Sequence, residues 1–242
     1  MKIVSLNTWG GLLHKPLLDF FENNKEIDIF CLQEIYHEAE GKENRSRFRN
    51  DALTLFTDIQ AVLDTHVGYF RPSVADYYGL AIFVRKEISL DEEGDLLIFE
   101  NEFPEERGKH SRNLQYIRFS INGKPTLLAN VHGLWNGMGK TDTPDRLEQS
   151  KRIQNFVHGK NEQKIVVGDF NLNPDTESLA IAEEGMRNLV KEYGITSTRT
   201  SFYEKEGKFA DYALVSPEVT VIDFKVLPEE VSDHAPLHIE ID

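Results

Sequence analysis

Cysteine is almost absent from the sequence, because Cys31 is the only one in 242 residues. A single cysteine excludes a disulfide framework and a thiolate cluster for zinc or an iron–sulfur centre. The first residues, MKIVSLNTWGG, also lack the longer apolar core and the cleavage site of a secretory signal. Both absences predict a reducing, cytoplasmic setting, and any bound metal is expected to use oxygen or imidazole ligands.

Long apolar runs and an excess of positive charge are missing as well. No run approaches the roughly 18 apolar residues that a membrane-spanning helix needs, so stable membrane insertion is not expected. The 27 Lys and Arg residues face 41 Asp and Glu residues, a formal net charge of −14. This balance argues against sequence-independent coating of a polyphosphate, which relies on cationic side chains releasing counterions. A phosphate-cleaving enzyme stays open, since a bound divalent cation supplies local positive charge.

The residue composition and the hydrophobic periodicity predict a layered α/β protein. With no repeat, low-complexity run or linker, residues 1–242 are expected to form a single domain. Strands are predicted over 2–6, 27–35, 68–71, 80–85, 113–121, 125–132, 164–167, 209–215, 219–226 and 237–241. Helices are predicted over 16–24, 48–63, 145–157 and 177–193, the last broken near Gly185 or continuous. Asn122-Gly123 predicts a hairpin, so we expect two mixed β-sheets packed together with helices outside.

Polar side chains collect at the boundaries of these predicted strands. The set is Asn7, Glu34, His132, Asp169, Asn171, Asp211, Asp233 and His234. Any one of them is more often a turn former or a packed surface residue than a catalytic group. The whole set is more informative, because the other acids lie mostly in runs that read as solvated, such as 91–93. Strand ends converge on one rim of a layered α/β protein, so a shared cleft is predicted.

The segments that carry these residues resemble those of the endonuclease/exonuclease/phosphatase superfamily, which has the DNase I-like fold. LNTWG, LQEI, NVHGLW, GDFNLNP, FADYALVS and SDHAPL occur in the order seen in that superfamily, from Asn7 to Pro236. GDFN followed by SDH is specific in combination. The resemblance implies a four-layered α/β/β/α sandwich and hydrolysis of phosphate esters with a divalent metal ion, Mg²⁺ or Mn²⁺.

The resemblance also implies a metal site and a nucleophile site. Glu34 would ligate the metal, and Asn7 and Asp233 would complete the site directly or through water, since Mg²⁺ usually keeps several waters. Asp169 would orient and deprotonate the attacking water, and Asn171 would hydrogen-bond the developing phosphorane oxygens. Their spacing places both side chains on one side of an extended chain.

Two imidazoles are implied next to the phosphate. His234 would contact it, with Asp211 fixing the tautomer of the ring and raising its basicity. His132 would be the second imidazole near the scissile phosphate. In the nuclease branch this histidine has an acidic partner from the strand region near 78–79, where this sequence places no carboxylate. Asp76 is the nearest substitute.

The substrate-binding residues are less defined. Arg112 resembles a phosphate-contacting arginine of relatives, and a solvated charge beside a strand explains it equally well. Trp135, in the glycine-rich segment 133–139, could dock a base or a lipid, or be the one buried aromatic of a mobile loop. The basic runs 45–49 and 107–112 are the only candidates for a local cationic patch.

The predicted function is nuclease-like hydrolysis of a phosphodiester by in-line attack of an activated water. A sphingomyelinase-type lipid phosphodiesterase and a sugar or inositol phosphate phosphatase are the rival enzymes. A catalytically silent binding module on the same fold is the alternative of another class. It is disfavoured because Glu34, Asp169 and His234 are all present. The expected partner is a phosphate-ester substrate, with nucleic acid as one option, and no protein partner is evident.

Overall fold

The computed structural model describes residues 1–42, 51–101, 110–158 and 161–242. Its strands are β1 (Lys2–Asn7), β2 (Ile29–Tyr36), β3 (His66–Val74), β4 (Tyr78–Arg85), β5 (Leu90–Phe99), β6 (Arg112–Ile121), β7 (Lys124–His132), β8 (Gln163–Asp169), β9 (Arg187–Asn188), β10 (Asp211–Val215), β11 (Val221–Val226) and β12 (Leu237–Ile241). Its α-helices are α1 (His14–Asn23), α2 (Leu55–Val62), α3 (Pro144–Val157), α4 (Glu177–Ala182) and α5 (Leu189–Glu192), and a 3₁₀ turn spans Trp9–Gly11.

The strands form two six-stranded mixed sheets, which confirms the predicted fold class. The first has the order β11-β12-β1-β2-β4-β3, and the second has the order β5-β6-β7-β8-β10-β9. β1 and β2 are parallel, as are β7 and β8, and the other pairs in both sheets are antiparallel. A parallel pair needs a crossover connection, and α1 and α3 supply the two crossovers.

Helices cover the outer faces of the two sheets. Successive residues of β1 enter different hydrophobic clusters, because side chains alternate between the faces of a strand. Ile3 joins the larger cluster, which contains strands of both sheets together with Ile153 of α3 and Leu179 of α4. Val4 joins a second cluster with Leu17 of α1 and residues of α2. The resulting order of layers is helix, sheet, sheet, helix, as the sequence predicted.

Buried carboxamides tie the two sheets together between these apolar residues. Gln33 Nε2 on β2 donates to Asn130 Oδ1 on β7 at 2.7 Å, and Asn130 Nδ2 donates back to the Leu32 carbonyl at 3.0 Å. Gln115 Nε2 on β6 donates to the Tyr69 carbonyl on β3 at 2.8 Å. Hydrogen bonds are directional and costly to break when buried, so they fix how one sheet sits on the other.

The local predictions were right about turns and wrong about some elements. Asn122 and Gly123 have φ of 50° and 78°, as a type I′ hairpin turn requires. The acidic run 91–93, predicted to be solvated, lies at the surface within edge strand β5, for which no strand was predicted, and Glu92 pairs there with Arg118 and Glu93 with Arg71. Charged side chains protect an exposed sheet edge, so here they belong to a strand.

Two helix predictions also change. Of the predicted helix 48–63, only 55–62 is helical among the described residues, because the backbone at 52 and 53 bonds to Gly10 and Ala39 instead. The segment 177–193 is two helices with β9 between them, broken at Gly185, whose φ is 72°. The basic run 45–49 lies outside the described residues, as does 107–109 of the second run.

Across the described ranges, no helix has both the length and the apolar character needed to cross a membrane.

The buried His66 should make the stability of the fold depend on pH, and this effect does not involve the strand-end residues. Its ring is 1% exposed, with Nε2 against the Ile27 carbonyl at 2.9 Å, and burial lowers the pKa of His66. The folded state therefore resists a proton that the unfolded chain accepts, so this contribution is present above about pH 6.5 and falls as the pH drops below it. We expect His66→Gln to weaken the loss of stability on acidification, by up to about 1.4 kcal/mol per pH unit.

The measurement is urea unfolding at pH 7.5 and 5.5. His14→Gln is the matched control, because His14 is 44% exposed and pairs only with Asp58 among the described residues. If His66→Gln showed the same change in unfolding free energy between the two pH values as the parent chain, the explanation would be wrong.

Candidate active site

The predicted residues meet where the two parallel strand pairs end. Asn7 and His132 are the last residues of β1 and β7, Asp169 is the last residue of β8, and Glu34 lies near the end of β2. Asn7 Nδ2 donates to Glu34 Oε1 at 3.1 Å within its own sheet and to Asp169 Oδ2 at 3.0 Å in the other sheet. The carboxyl ends of the four central strands therefore form one site.

Unusual backbone geometry aims two of these side chains. Glu34 has φ of 60° and lies where the pairing of β2 with β4 shifts register between Leu32 and Ile35. Thr8 Oγ1 lies 3.1 Å from the Glu34 carbonyl and 2.9 Å from that of Gln33, which holds this segment. Positive φ is uncommon for a residue with a side chain and concentrates at functional sites, where a bulge redirects a side chain.

Asp169 and Asn171 are held by their own loop. Asp169 Oδ1 accepts from the Asn171 backbone N–H at 2.8 Å, and Asn171 Nδ2 donates to the Gly133 carbonyl at 3.2 Å. Asn171 has φ of 53° and follows the end of β8, so the extended-chain argument for this pair was wrong. A left-handed turn, and not strand alternation, brings the two together.

His234 and Asp211 form a buried pair. His234 Nδ1 lies 2.8 Å from Asp211 Oδ1, and Thr198 Oγ1 donates to Asp211 Oδ2 at 3.0 Å. Because a carboxylate only accepts, Nδ1 carries the proton and Nε2 of the neutral ring is an acceptor. Burial, followed by the charge of Arg199, lowers the pKa of His234 to about 4, while burial raises the pKa of Asp211 to about 6. His234 is therefore neutral at pH 7 in this state, with Nε2 3.7 Å from Asp169 Oδ2.

His132 has the opposite arrangement. Arg112 is buried, and its Nη1 is 3.1 Å from His132 Nδ1. A guanidinium only donates, and Arg112 Nη1 is closer to Nδ1 than to Nε2, at 3.1 against 3.4 Å. Nδ1 is therefore the better acceptor, which favours the proton of the neutral ring on Nε2, 3.8 Å from Glu34 Oε1 and 3.9 Å from Asp169 Oδ2. Burial and the Arg112 charge keep the pKa of His132 well below its usual value.

The partner of His132 is thus a cation, while Asp76 pairs with Lys42 at 3.0 Å. The interpretation of Arg112 as a solvated charge is excluded by its burial. The sequence could not show this pairing, because Arg112 and His132 lie on neighbouring strands in antiparallel register.

The carboxylates are crowded enough to accommodate a cation. Burial raises the pKa of Glu34 to about 7, and the charges of Asp233 and Asp169 add to the rise, against the hydrogen bond from Asn7. Asp233 Oδ1 is buried with no hydrogen-bond partner among the described residues, which is unusual for a carboxylate oxygen. Clustered hard oxygens with an unmatched acceptor fit a divalent cation of the Mg²⁺ type.

A second group of possible ligands is Asp169, Asp211 and His234, whose ligand atoms lie within 4.8 Å of one another. In this group Asp211 already binds His234 Nδ1 and Thr198 through its two oxygens. A cation here would displace those hydrogen bonds. On the side of Glu34 and Asp233, by contrast, the buried Asp233 Oδ1 has no hydrogen bond to lose among the described residues.

Sequence reasoning missed a set of cationic and aromatic side chains beside this site. Arg199 Nη1 donates to Asp233 Oδ2 at 3.2 Å, and its Cζ lies 4.0 Å from the centre of the Tyr203 ring. Lys140 Nζ lies 5.1 Å from the same ring, and Lys205 Nζ lies 5.6 Å from the ring of Trp135, which is half-buried. The available signal was the segment TRTSFYEK, residues 198–205, in which two cations flank two adjacent aromatics.

The model of the Endonuclease/Exonuclease/phosphatase family matches residues 4–234. No curated protein sequence matches this chain significantly. Several solved structures share its fold. A mannosyl-6-phosphatase of Bacteroides thetaiotaomicron VPI-5482 is 19% identical, with a TM-score of 0.74 over 100% of this chain and 99% of that one.

Two further structures extend this likeness. A functionally unknown conserved protein of Enterococcus faecalis V583 is 19% identical, with a TM-score of 0.77 over 100% of this chain and 99% of the other. A humanized D. rerio TDP2 with 14 mutations is 16% identical, with a TM-score of 0.75 over 100% and 98% of the two chains. At these identities the structures establish the fold alone. Because the family model spans the strand-end site and both sheets, this chain belongs to the endonuclease/exonuclease/phosphatase family.

Proposed function

We propose that this chain is a divalent-metal-dependent phosphodiesterase of the nuclease-like type, using Mg²⁺ or Mn²⁺. One observation carries the proposal: the buried Asp169 carboxylate lies between two imidazoles of opposite hydrogen-bonding character. His132 presents an Nε2–H donor, and His234 presents an Nε2 acceptor. A carboxylate between two such imidazoles suits the hydrolysis of a phosphate ester. The phosphate oxygens accept hydrogen bonds from a donor such as His132 Nε2–H, and the carboxylate can accept a proton from the attacking water.

Glu34 and Asp233 would hold the metal ion. The bound ion would neutralise charge on the phosphoryl oxygens. Asn7 has a different part in this proposal, because its Nδ2 faces the two carboxylates and its Oδ1 already accepts from the Trp9 backbone at 2.9 Å. Asn7 orients Glu34 and Asp169, and its contact with a bound metal ion would be through water.

The chain's own residues supply the remaining steps. Asp169, fixed by Asn7 and by the Asn171 backbone, orients the attacking water and accepts its proton. His234 contacts the phosphate through Nε2, with Asp211 holding the tautomer at 2.8 Å. A phosphate anion raises the pKa of a nearby imidazole, so His234 gains its proton when substrate is bound. Asn171 hydrogen-bonds the phosphorane oxygens, and Arg112 keeps the His132 proton on Nε2.

A phosphomonoesterase is the second candidate, because one similar structure carries the name mannosyl-6-phosphatase. A catalytically silent module is disfavoured by the completeness of the site.

The deciding experiment assays bis(p-nitrophenyl) phosphate and p-nitrophenyl phosphate with Mg²⁺, Mn²⁺ or chelator. We expect metal-dependent turnover with the diester preferred. The single-domain organisation and the cytoplasmic location stay predictions from the sequence.

Removing the central acid or the buried imidazole should stop turnover. We expect Asp169→Asn and His234→Ala to lower kcat on the best substrate by at least about 100-fold, since each removes a group that acts on the reacting atoms. Circular dichroism and thermal unfolding confirm that the variants fold, and His14→Ala is the exposed control. Turnover near that of the parent chain in both folded variants would refute the mechanism.

Glu34 makes a separate prediction about metal binding. Its raised pKa means that ionised Glu34 destabilises the metal-free fold. Below about pH 4.5 the carboxyl is protonated in both the folded and the unfolded chain, and Glu34 then costs no stability. The destabilisation grows as the pH rises and is complete above about pH 7, where Glu34 is ionised in both states. At pH 8 with chelator, we expect Glu34→Gln to raise Tm by roughly 5 °C and, with Mg²⁺ added, to lose the further stabilisation that the parent chain gains.

Thermal unfolding with and without Mg²⁺ measures both effects. Glu26→Gln is the matched control, because this substitution removes the same charge at an exposed position. A Glu34→Gln variant stabilised by Mg²⁺ as strongly as the parent chain would show that Glu34 is not a ligand.

A further inference from the structure

A group of cationic and aromatic side chains borders the carboxylates on one side. We call Lys140, Arg199 and Tyr203 the rim cluster; the Tyr203 ring lies within 4.0 Å of the Arg199 Cζ and 5.1 Å of the Lys140 Nζ. The chain has a formal net charge of −14, so two cations on one ring beside the active site run against its overall charge.

Arg199 is buried and has one donor without a partner among the described residues. Its side chain is 7% exposed, and its backbone pairs with that of His234 in a β-bridge. One N–H binds Asp233 Oδ2 at 3.2 Å, whereas the buried Nε has no hydrogen-bond partner among the described residues. A buried guanidinium normally uses its donors, so an unmatched N–H marks a place for an acceptor that is not part of the chain.

Lys140 adds a second positive charge at the same place. It is buried, and Nζ donates to the Phe209 carbonyl at 2.6 Å. Burial and the Arg199 charge lower the pKa of Lys140 to about 8, while Asp169, Asp211 and Asp233 act in the other direction. The two cations therefore repel each other within reach of the catalytic carboxylates, and an anion bound between them would relieve the repulsion.

The Asp233 carboxylate separates this cluster from the reacting phosphate. Its Oδ2 is bound to Arg199, and its Oδ1 lies 3.8 Å from His234 Nε2. Asp233 thus contacts the guanidinium through one oxygen and faces the His234 ring with the other. Asp233 would also bind the proposed metal ion. Its single negative charge therefore cannot neutralise both Arg199 and Lys140. The planar fork of arginine matches the oxygens of a phosphate.

We propose that the rim cluster binds a second phosphate of the substrate, adjacent to the phosphate that is cleaved. The preferred substrate then carries at least two phosphate groups, as in a phosphodiester chain or a bisphosphate. This inference rests on the proposed function for the identity of the cleaved phosphate. Arg199 is a specificity-determining residue in it, Lys140 is the second cation, and Tyr203 positions the guanidinium by stacking.

The test compares two chromogenic substrates that differ only in the second phosphate. These are the p-nitrophenyl ester of thymidine 5′-phosphate and the same ester with a 3′-phosphate, both of which release p-nitrophenolate. We expect the parent chain to show a kcat/KM at least about tenfold higher for the substrate with the 3′-phosphate. In Arg199→Gln the ratio of the two values should fall close to 1, whatever the absolute activity, and Arg199→Lys should retain part of it.

Matched variants separate a binding role from a structural one. Arg152→Gln removes the same charge at an exposed position and should keep the parent ratio. Tyr203→Phe keeps the stacked ring and should keep the ratio, whereas Tyr203→Leu should lower it. An unchanged ratio in Arg199→Gln, or an equal fall in Arg152→Gln, would overturn the proposal, the second result by assigning the preference to bulk charge.

Binding distinguishes failure of this inference from failure of the proposed function. Calorimetry in chelator compares thymidine 3′,5′-bisphosphate with thymidine 5′-phosphate on the parent chain and on Arg199→Gln. A preference for the bisphosphate that Arg199→Gln abolishes would support the second-phosphate site even if neither ester were hydrolysed, in which case the proposed function fails alone. Hydrolysis of both esters with equal kcat/KM in the parent chain, and equal affinities, would refute the site and leave the proposed function standing.

Discussion

The proposed active site depends on one carboxamide that joins the two sheets. Asn7 Nδ2 donates to Glu34 in its own sheet and to Asp169 in the other sheet, at 3.1 and 3.0 Å. Two carboxylates that repel each other are held together by one donor, and this works only if the sheets keep their relative position. The hydrogen bonds of Gln33 and Asn130 across the interface maintain that position. The buried polar residues inside the sandwich therefore keep Glu34 and Asp169, which lie on different sheets, in alignment.

The site concentrates features that cost stability. Glu34 and Asn171 have positive φ, and burial raises the pKa of Glu34 and of Asp211. Burial also keeps both imidazoles neutral before substrate binds, so their hydrogen-bonding roles are set by their neighbours: Arg112 for His132 and Asp211 for His234. The well-packed sheets tolerate these costs, as strained residues require. Binding of a cation and a phosphate would reverse much of the charge imbalance.

The residues proposed for chemistry and those proposed for substrate choice lie in different parts of the chain. The carboxylates and imidazoles lie at or next to strand ends, which the family shares as a scaffold. The rim cluster lies on the loops around 140 and 199–203, where length and composition can change without disturbing the sheets. Fold relatives at 16–19% identity are consistent with this division, since a shared scaffold does not specify a substrate. In our proposal, Lys140 and Arg199 are the residues of these loops that recognise the substrate.

Local sequence patterns were enough to predict the two mixed sheets, most strands, the hairpin at Asn122-Gly123 and the set of strand-end residues. These follow from alternation and turn chemistry, which act over a few neighbouring residues. Tertiary structure alone decided that the acidic segment 91–93 is an edge strand, that a register shift redirects Glu34, and that Arg112 faces His132. It also decided that Lys140 and Arg199 share one ring. Each of these depends on partners distant in the chain, which local patterns do not encode.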